Sequence, residues 1–196
     1  MVWGNGMDIK CDFIDHNFLS VCQNRTVLEI GCFEGWITER VLTHTPKELI
    51  LLESHKKSVD FMIEKFPETK IIHGDMHEDV DLKQVGQVEV ALVLGVIYHS
   101  HAPLYALEKL VNFCQPQTII IDNMAPSFAW AEETANEQGM RNTTASWRTC
   151  NIVINIDNEI TILALKNLGY ELIKQKVYPD GAQGHTRPIF HFEKYE

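Results

Sequence analysis

The residues best suited to holding a ligand lie in the stretch VLEIGCFEGW, residues 27–36. Gly31 and Gly35 follow an apolar run there, and Glu29 stands two residues before the first glycine. A glycine permits a tight turn and lets the backbone come close to a bound molecule. In open α/β sheets, a buried strand that ends in such a turn commonly presents its loop to a small ligand. The glycine pair alone does not say which ligand this is.

Further polar residues end the apolar runs that follow along the chain. Glu53 lies 22 residues after Gly31, at a position where a carboxylate can accept hydrogen bonds from both hydroxyls of a ribose. Asp75 ends a third run, and Gly95 interrupts a fourth. Because the G-x-G-x-x-G fingerprint is absent and the acid before the first glycine has no use there, the pattern disfavours a nicotinamide-dependent oxidoreductase. The same pattern favours a ligand that contains a nucleoside but no pyrophosphate.

Five short apolar runs predict the strands that would carry these residues. None exceeds eight residues, and each is rich in Val, Ile and Leu with little polar alternation, which is typical of strands buried on both faces of a parallel sheet. The predicted strands are Thr26–Gly31, Glu48–Glu53, Lys70–Asp75, Glu89–Val96 and Thr118–Asp122. Segments with helical spacing alternate with them, at Trp36–His44, His55–Phe66 and Leu104–Cys114. Such alternation predicts a doubly wound sheet with right-handed crossovers.

Two further expectations concern helices. An N-terminal helix is predicted around Asp12–Gln23, within a lead-in of residues 1–25. In the helix predicted at His55–Phe66, the residues expected to form the buried apolar face are Val59, Phe61, Ile63 and Phe66.

The alternation stops after Asp122. A polar segment, residues 123–158, follows, and Glu159–Leu168 then reads as a helix with Gly169 as its cap. The last two strands are predicted at Tyr170–Tyr178 and near Ile189–Lys194. Because a turn-rich loop joins them, they are expected to be antiparallel neighbours.

The composition predicts one globular domain spanning residues 1–196. The apolar fraction is 45% and the charged fraction 22%, and no low-complexity tract interrupts the chain. The fold class is therefore α/β, a doubly wound, Rossmann-like, mostly parallel sheet with a C-terminal antiparallel hairpin. Five cysteines without a C-x-x-C pair predict reduced thiols and no structural zinc site.

Charge and hydropathy restrict the partners. The net charge is -10, and the 17 Lys and Arg residues are scattered, which argues against a general nucleic-acid-binding surface. A structured RNA reached through a local basic patch stays open. The longest apolar runs are too short to span a membrane, and the N-terminus lacks the order of a signal peptide, so a cytoplasmic protein is expected.

The motifs LEIGCFEG, LLES, HGDM and LGVIYHSHAP together resemble those of the class I S-adenosylmethionine-dependent methyltransferases. The order of elements matches that superfamily over roughly residues 26–195, while the specific motifs lie between Val27 and Tyr105. Phe33 occupies a position where many members have a further glycine. The phrase GVIYHSHAPLYALEKL is similar, more loosely, to a segment of tRNA wobble-uridine carboxymethyltransferases and their methyltransferase-like relatives.

The resemblance implies S-adenosylmethionine as cofactor and assigns it a set of contacts. Glu29 would face the ammonium group, Glu53 the ribose hydroxyls and Asp75 the amino group of the adenine. The remaining contacts would come from Gly31, Cys32, Phe33 and Gly35 along the sugar and methionine parts, Ser54 and Met76 at the adenine, and Leu94 and Gly95 near the methionine chain.

Catalytic groups are expected after the fourth strand. His99 is a candidate general base, or alternatively a loop histidine that packs against the cofactor, and Tyr98 would shape the methyl-transfer pocket. The Asp122-Asn123 pair is similar to one in magnesium-dependent O-methyltransferases. No carboxylate follows the fourth strand here, so one hard oxygen ligand is missing and no metal is expected.

The predicted function is methyl transfer from S-adenosylmethionine to a small-molecule acceptor. Segment 123–158 is the expected acceptor site, and its candidate pocket residues are Trp130, Arg141, Trp147 and Arg148. Alternatively, Trp147 belongs to the core and both arginines are solvated. Two alternatives stay open: a noncatalytic S-adenosylmethionine-binding partner subunit, and a tRNA- or nucleotide-modifying methyl- or carboxymethyltransferase.

Overall fold

The computed structural model describes the backbone of residues 4–122, 129–132, 152–180 and 185–195. Side chains are described within residues 9–122, 156–178 and 187–195. The strands are β1 Thr26–Ile30, β2 Glu48–Glu53, β3 Lys70–His73, β4 Val90–Val93, β5 Thr118–Asp122, β6 Ala129–Glu132, β7 Ile152–Asn155, β8 Tyr170–Asp180 and β9 His185–Lys194. The α-helices are α1 Gly4–Phe18, α2 Trp36–Thr43, α3 Lys56–Lys65, α4 Asp79–Val85, α5 Pro103–Cys114 and α6 Asn158–Asn167, and short 3-10 turns lie at Leu19–Cys22 and Ile97–His99.

Seven strands form one sheet in the order β3-β2-β1-β4-β5-β9-β8. The first five strands are parallel to one another, whereas β9 runs antiparallel to both β5 and β8. The predicted fold class, a doubly wound mostly parallel sheet with a C-terminal antiparallel hairpin, is confirmed. The two remaining described strands, β6 and β7, pair with each other as a separate antiparallel ladder.

The sheet is buried on both faces, as the apolar runs predict. Leu28 and Ile30 of β1 belong to the core that packs under α4, α5 and α6, while Val27 belongs to the opposite core under α1, α2 and α3. Glu29 shares the side of Val27, because alternate residues of a strand point to opposite faces. It is therefore a carboxylate in the apolar layer beneath α1–α3.

Three parts of the chain differ from the sequence expectations. Helix α4 was not predicted, because its seven residues bury only Leu82 and Val85 and so carry little helical periodicity. Helix α1 begins at Gly4, earlier than expected, and ends at Phe18. The polar segment 123–158 contains β6 and β7 among its described residues.

The predicted apolar face of α3 is partly wrong. Phe61 and Ile63 are 45% and 51% exposed, whereas Val59 and Met62 are at most 3% exposed and Phe66 packs at the edge of the core. Residues 59, 62 and 66 are three and four apart and share one helix face. Phe61 and Ile63 flank Met62 in sequence and therefore point away from the sheet.

No helix in the described part of the chain combines the length and the hydrophobicity that a bilayer crossing requires.

The helix face can be checked with two neighbouring substitutions. Met62→Ala removes a side chain with no exposed surface, so the free energy of unfolding should fall by about 2–5 kcal/mol. Ile63→Ala removes a half-exposed side chain and should change it by no more than about 0.5 kcal/mol. Urea denaturation of both variants measures the difference. A larger loss in Ile63→Ala would mean that α3 is rotated relative to this description.

Candidate functional site

The loop after β1 depends on its two glycines for packing. Gly31 and Gly35 have φ angles of 71° and 80°, in the left-handed region. A Cβ atom on Gly31 would lie 2.3 Å from Cγ2 of Val96, and one on Gly35 would lie 2.5 Å from Cε2 of Phe66. Gly31 thus lets the loop after β1 lie directly against the loop after β4.

Phe33 adopts the conformation that glycine favours, although it carries a side chain. Its φ angle is 50°, and its N–H donates to Oε2 of Glu53 at 3.0 Å. Its ring lies 5.7 Å, centroid to centroid, from that of Trp36. Phe33 thus takes a backbone conformation open to glycine, and the carboxylate of Glu53 helps to hold it.

Glu53 ends β2 and is 6% exposed. One carboxylate oxygen accepts the Phe33 N–H, and the other accepts the N–H of His55 at 2.8 Å. A carboxylate offers about four acceptor positions, so two backbone donors leave capacity for further donors such as hydroxyls. Ser54, the next residue, is half-buried. Glu53 is thus a pre-oriented acceptor between the loops after β1 and β2.

Glu29 is a buried carboxyl beneath the same loop. It is 3% exposed, and its Oε2 accepts a hydrogen bond from Oγ1 of Thr38 in α2 at 2.7 Å. Burial raises its pKa from 4.5 to about 7, the hydrogen bond from Thr38 acts in the opposite direction, and the nearby charge of Glu53 adds to the increase. A carboxyl that titrates near neutrality gains its charge readily when a cation arrives.

Asp75 lies two residues beyond the end of β3 and is 4% exposed. Its Oδ1 accepts the N–H of His77 at 2.9 Å and lies 2.6 Å from Nδ1 of the same histidine. The other ring nitrogen of His77 lies 2.7 Å from Oγ of Ser100, in the loop after β4. Asp75 is therefore the end of a hydrogen-bonded chain that joins two loops.

Asp122, at the end of β5, is fully buried and holds two groups. Its Oδ1 accepts the N–H of Gly95 at 2.5 Å, and its Oδ2 lies 2.9 Å from Nζ of Lys10 in α1. Burial lowers the pKa of Lys10, but the charges of Asp122 and Tyr98 and the hydrogen bond to Asp122 together outweigh it, so the pKa of Lys10 is raised. Asn123 lies outside the described residues. Within those residues, no group of three or more His, Cys, Asp or Glu is placed to hold a metal ion.

Tyr98 and His99 lie in the 3-10 turn after β4. The Tyr98 hydroxyl accepts a hydrogen bond from Nη1 of Arg187 in β9 at 3.2 Å, and the guanidinium carbon of Arg187 lies 5.6 Å from the centre of the ring. Burial and the charge of Asp122 raise the pKa of Tyr98. His99 is exposed, and its ring centre lies 4.4 Å from that of Tyr98. The backbone of β7 runs alongside this turn.

The other predicted contacts lie at the same edge of the sheet. The side chains of Cys32, Met76 and Leu94 are at most 8% exposed and pack in the two cores. Gly95 has a φ angle of 81° and lies close to the Tyr98 hydroxyl. The side chains proposed for the acceptor pocket, those of Trp130, Arg141, Trp147 and Arg148, lie outside the described residues.

Sequence reasoning missed the residues that hold the predicted ones in place. Lys10, Thr38, His77 and Arg187 each contact a predicted site residue or Asp122, and Ser100 contacts His77. Lys10 is 112 residues from its partner, and Arg187 is 89 residues from Tyr98. No local motif marks either residue, so only the folded sheet could reveal them. Thr38 and His77 lie nine and two residues from their partners, but neither forms a recognisable pattern with them.

Solved structures of known proteins share this arrangement of strands. The N-methyltransferase NodS from Bradyrhizobium japonicum, crystallised with S-adenosyl-L-homocysteine, matches with a TM-score of 0.71 at 13% identity, over 100% of this chain and 90% of that one. The Burkholderia thailandensis 1,6-didemethyltoxoflavin-N1-methyltransferase matches with a TM-score of 0.70 at 14% identity, over 100% of this chain and 81% of that one. The chain has the class I methyltransferase fold. The resemblance predicted from the glycine loop and the strand-end acids is confirmed.

Sequence comparison also finds relatives that are named as methyltransferases or carboxymethyltransferases. A tRNA U34 carboxymethyltransferase from Helicobacter pylori is 30% identical over 126 residues, which covers 59% of this chain and 48% of the relative. An uncharacterised methyltransferase from Schizosaccharomyces pombe is 27% identical over 123 residues, covering 58% of this chain and 45% of the relative. The chain thus spans about half the length of the curated relatives that it matches. No protein-family model matches it.

The burial of Glu29 predicts a defined pH dependence of stability. Because the pKa in the folded protein, about 7, exceeds the ordinary value of 4.5, the unfolded chain releases the proton first as the pH rises. The stabilisation present below pH 4.5 should therefore be lost between pH 4.5 and about 7, by roughly 3 kcal/mol relative to Glu29→Gln. Urea denaturation of wild type and variant across this range measures the difference.

Glu34→Gln is the matched control, because Glu34 lies in the same loop and is exposed. Its difference from wild type should stay constant with pH. A constant difference for Glu29→Gln as well would mean that Glu29 titrates normally.

Proposed function

We propose that this chain is an S-adenosylmethionine-dependent methyltransferase. The observation that carries the proposal is the carboxylate of Glu53, which is buried at the end of β2 and fixed by two backbone N–H groups. A carboxylate held in this way is suited to two adjacent ribose hydroxyls, and it lies against a loop that leaves no room for a side chain at Gly31. The solved neighbours, crystallised with S-adenosylmethionine or S-adenosylhomocysteine, support the same ligand.

The other acids fit the remaining parts of the cofactor. Glu29 is suited to the ammonium group, because a cation nearby would favour the charged form of a carboxyl that already titrates near neutrality. Asp75 is suited to the amino group of the adenine, with Ser54 and Met76 beside the ring. Gly31, Cys32, Phe33, Gly35, Leu94 and Gly95 would contact the sugar and the methionine chain through the two adjoining loops.

Methyl transfer requires little of the protein beyond correct placement of the methyl donor and the acceptor. S-adenosylmethionine supplies a methyl group on a sulfonium, whose leaving group departs neutral. Orientation of donor and acceptor and a suitable electrostatic environment therefore account for most of the expected acceleration. Tyr98 would shape the transfer pocket, and His99, which is exposed beside it, would accept a proton from an acceptor that has one to lose.

The proposed acceptor is a small molecule bound between the Tyr98–His99 turn and segment 123–158. The backbone of β7, part of that segment, already lies beside the turn. The net charge of -10 supports a small acceptor over a long nucleic acid. The cytoplasmic location and the single domain of residues 1–196 belong to the same proposal.

Glu53 provides the test of cofactor binding. Glu53→Ala removes the proposed charge-assisted bonds to the ribose and should weaken S-adenosylmethionine binding by about 1.5–3 kcal/mol, roughly 10- to 150-fold in Kd. Glu53→Gln, which keeps one acceptor oxygen for the backbone donors, should give a smaller loss. Isothermal titration calorimetry on folded variants measures both.

Glu48→Ala is the control, since Glu48 is exposed at the opposite end of the same strand. Its affinity should equal that of wild type. Equal affinity in all three variants would remove Glu53 from the site. Tight binding of S-adenosylmethionine without turnover on any acceptor in a screen would instead favour the noncatalytic partner subunit.

A second candidate function, transfer of a carboxymethyl group, is favoured by a specific observation. The guanidinium of Arg187 lies at the end of β4, where it donates to the Tyr98 hydroxyl and lies over the Tyr98 ring, and Nζ of Lys10 lies nearby on Asp122, which also holds Gly95. The guanidinium is thus beside the turn at which the transferred group is proposed to lie. The curated relatives are tRNA U34 carboxymethyltransferases, and a carboxymethyl group carries a carboxylate that a guanidinium can bind.

The two functions predict different donor preferences. If the carboxymethyl reading holds, a donor whose sulfonium methyl carries a carboxylate should bind at least about tenfold more tightly than S-adenosylmethionine, because Arg187 adds a charge-assisted bond. Arg187→Met should abolish this preference. Arg40→Met, at an arginine that pairs with Asp12 on the surface, should not. If wild type binds S-adenosylmethionine and the carboxylate-bearing donor with equal affinity, the carboxymethyl function is wrong and methyl transfer remains the proposed function.

A further inference from the structure

A buried chain of three side chains connects the loop after β3 to the loop after β4. Asp75, His77 and Ser100 are 4%, 7% and 2% exposed. Oδ1 of Asp75 lies 2.6 Å from Nδ1 of His77, and Nε2 of His77 lies 2.7 Å from Oγ of Ser100. Each of these distances is within the range of a hydrogen bond.

The hydrogen bonds around Ser100 indicate where the imidazole carries its proton. Oγ of Ser100 accepts the N–H of Ala102 at 3.1 Å, so its own hydroxyl hydrogen is available to donate to Nε2 of His77. Because a carboxylate can only accept, Nδ1 of His77 is the donor in its hydrogen bond to Asp75. In this arrangement, Oδ1 of Asp75 receives both the side-chain and the backbone N–H of His77.

Helix α5 fixes this histidine from a second direction. Nζ of Lys109 donates to the carbonyl oxygen of His77 at 2.6 Å and also contacts Asp79 at 2.5 Å. Ser100 lies just before α5, whose N-cap is Ala102. His77 is thus held at its ring and at its carbonyl by groups on or next to one helix.

The same three residue types form the nucleophile, base and orienting acid of serine hydrolases. Here, however, the serine is not accessible as the nucleophile of a serine hydrolase is. Ser100 is 2% exposed, and its oxygen already accepts a backbone hydrogen bond. A nucleophile must reach a substrate. The geometry therefore indicates an orienting role for the chain.

We propose that His77, supported by Ser100, is a positioning residue that makes the site selective for a 6-amino purine; this inference rests on the proposed function. Two donors on Oδ1 hold the Asp75 carboxylate as an acceptor with a fixed orientation. An acceptor at this point matches the amino group of adenine, which donates. The 6-oxo group of hypoxanthine also accepts, so it faces a like partner and is rejected.

The test compares S-adenosylhomocysteine with S-inosylhomocysteine, two ligands that differ only in the 6-substituent of the purine and in the hydrogen that the 6-oxo purine carries on N1. Wild type should prefer the adenosine compound by about 100-fold or more, in the range expected when a site built for a donor meets a group that cannot donate. His77→Phe keeps a ring but loses both nitrogens, and the preference should fall by about tenfold or more. His77→Asn, whose amide nitrogen replaces Nδ1, should retain most of the preference. Isothermal titration calorimetry gives both affinities for each variant.

His16→Phe is the matched control, because it makes the same exchange at an exposed histidine of α1. A general loss of structure would weaken both ligands equally, whereas a loss of orientation changes their ratio. If His77→Phe does not fold, Ser100→Ala should lower the ratio in the same direction. An unchanged ratio in the folded variants overturns the inference while leaving the proposed function intact. Failure of wild type to bind S-adenosylhomocysteine overturns the proposed function itself.

Discussion

Burial of the sheet on both faces confines its polar chemistry to the edge where the parallel strands end. Four acids at or near this edge, Glu29, Glu53, Asp75 and Asp122, are at most 6% exposed. A buried carboxylate is costly unless donors compensate it. Each of the four has such donors: those of Glu29, Glu53 and Asp122 come at least in part from another element, and the donor to Asp75, His77, is itself bonded to Ser100 in another loop. The compensation of these acids is therefore also what fixes the loops relative to one another.

The way each acid is compensated gives it a different character. Glu53 is held by backbone N–H groups that cannot move away without unfolding the loops. Glu29 has a single hydroxyl donor and titrates near neutrality. Asp122 is paired with the ammonium group of Lys10, which fixes α1 at the end of β5. The site thus combines a rigid acceptor, a readily charged one and a structural ion pair within one edge of the sheet.

The sequence was sufficient for features that are encoded locally. Apolar runs marked the parallel strands, and Gly31, Glu53 and Gly95 could be placed at strand ends because neighbouring residues define those ends. The register of a helix face was harder: the exposed Phe61 and Ile63 are as apolar as the buried Met62, so hydrophobicity alone did not separate them. Partners such as Lys10 and Arg187 were beyond prediction, because only the packing of α1 and the pairing of β9 with β5 bring them to the site.

The antiparallel direction of β9 has a practical consequence for handling the protein. Arg187 is near the start of this strand, at the edge of the sheet where the cofactor site is proposed, called the ligand edge here. Lys194, at the end of the strand, hydrogen-bonds to Gln117, just before β5 begins. The last described residues therefore emerge on the side of the sheet opposite the site. A fluorophore or a surface anchor attached beyond Tyr195 would leave the ligand edge open, whereas one attached before α1 would sit next to the helix that carries Lys10. Binding assays on an immobilised chain are thus best built from its C-terminal end.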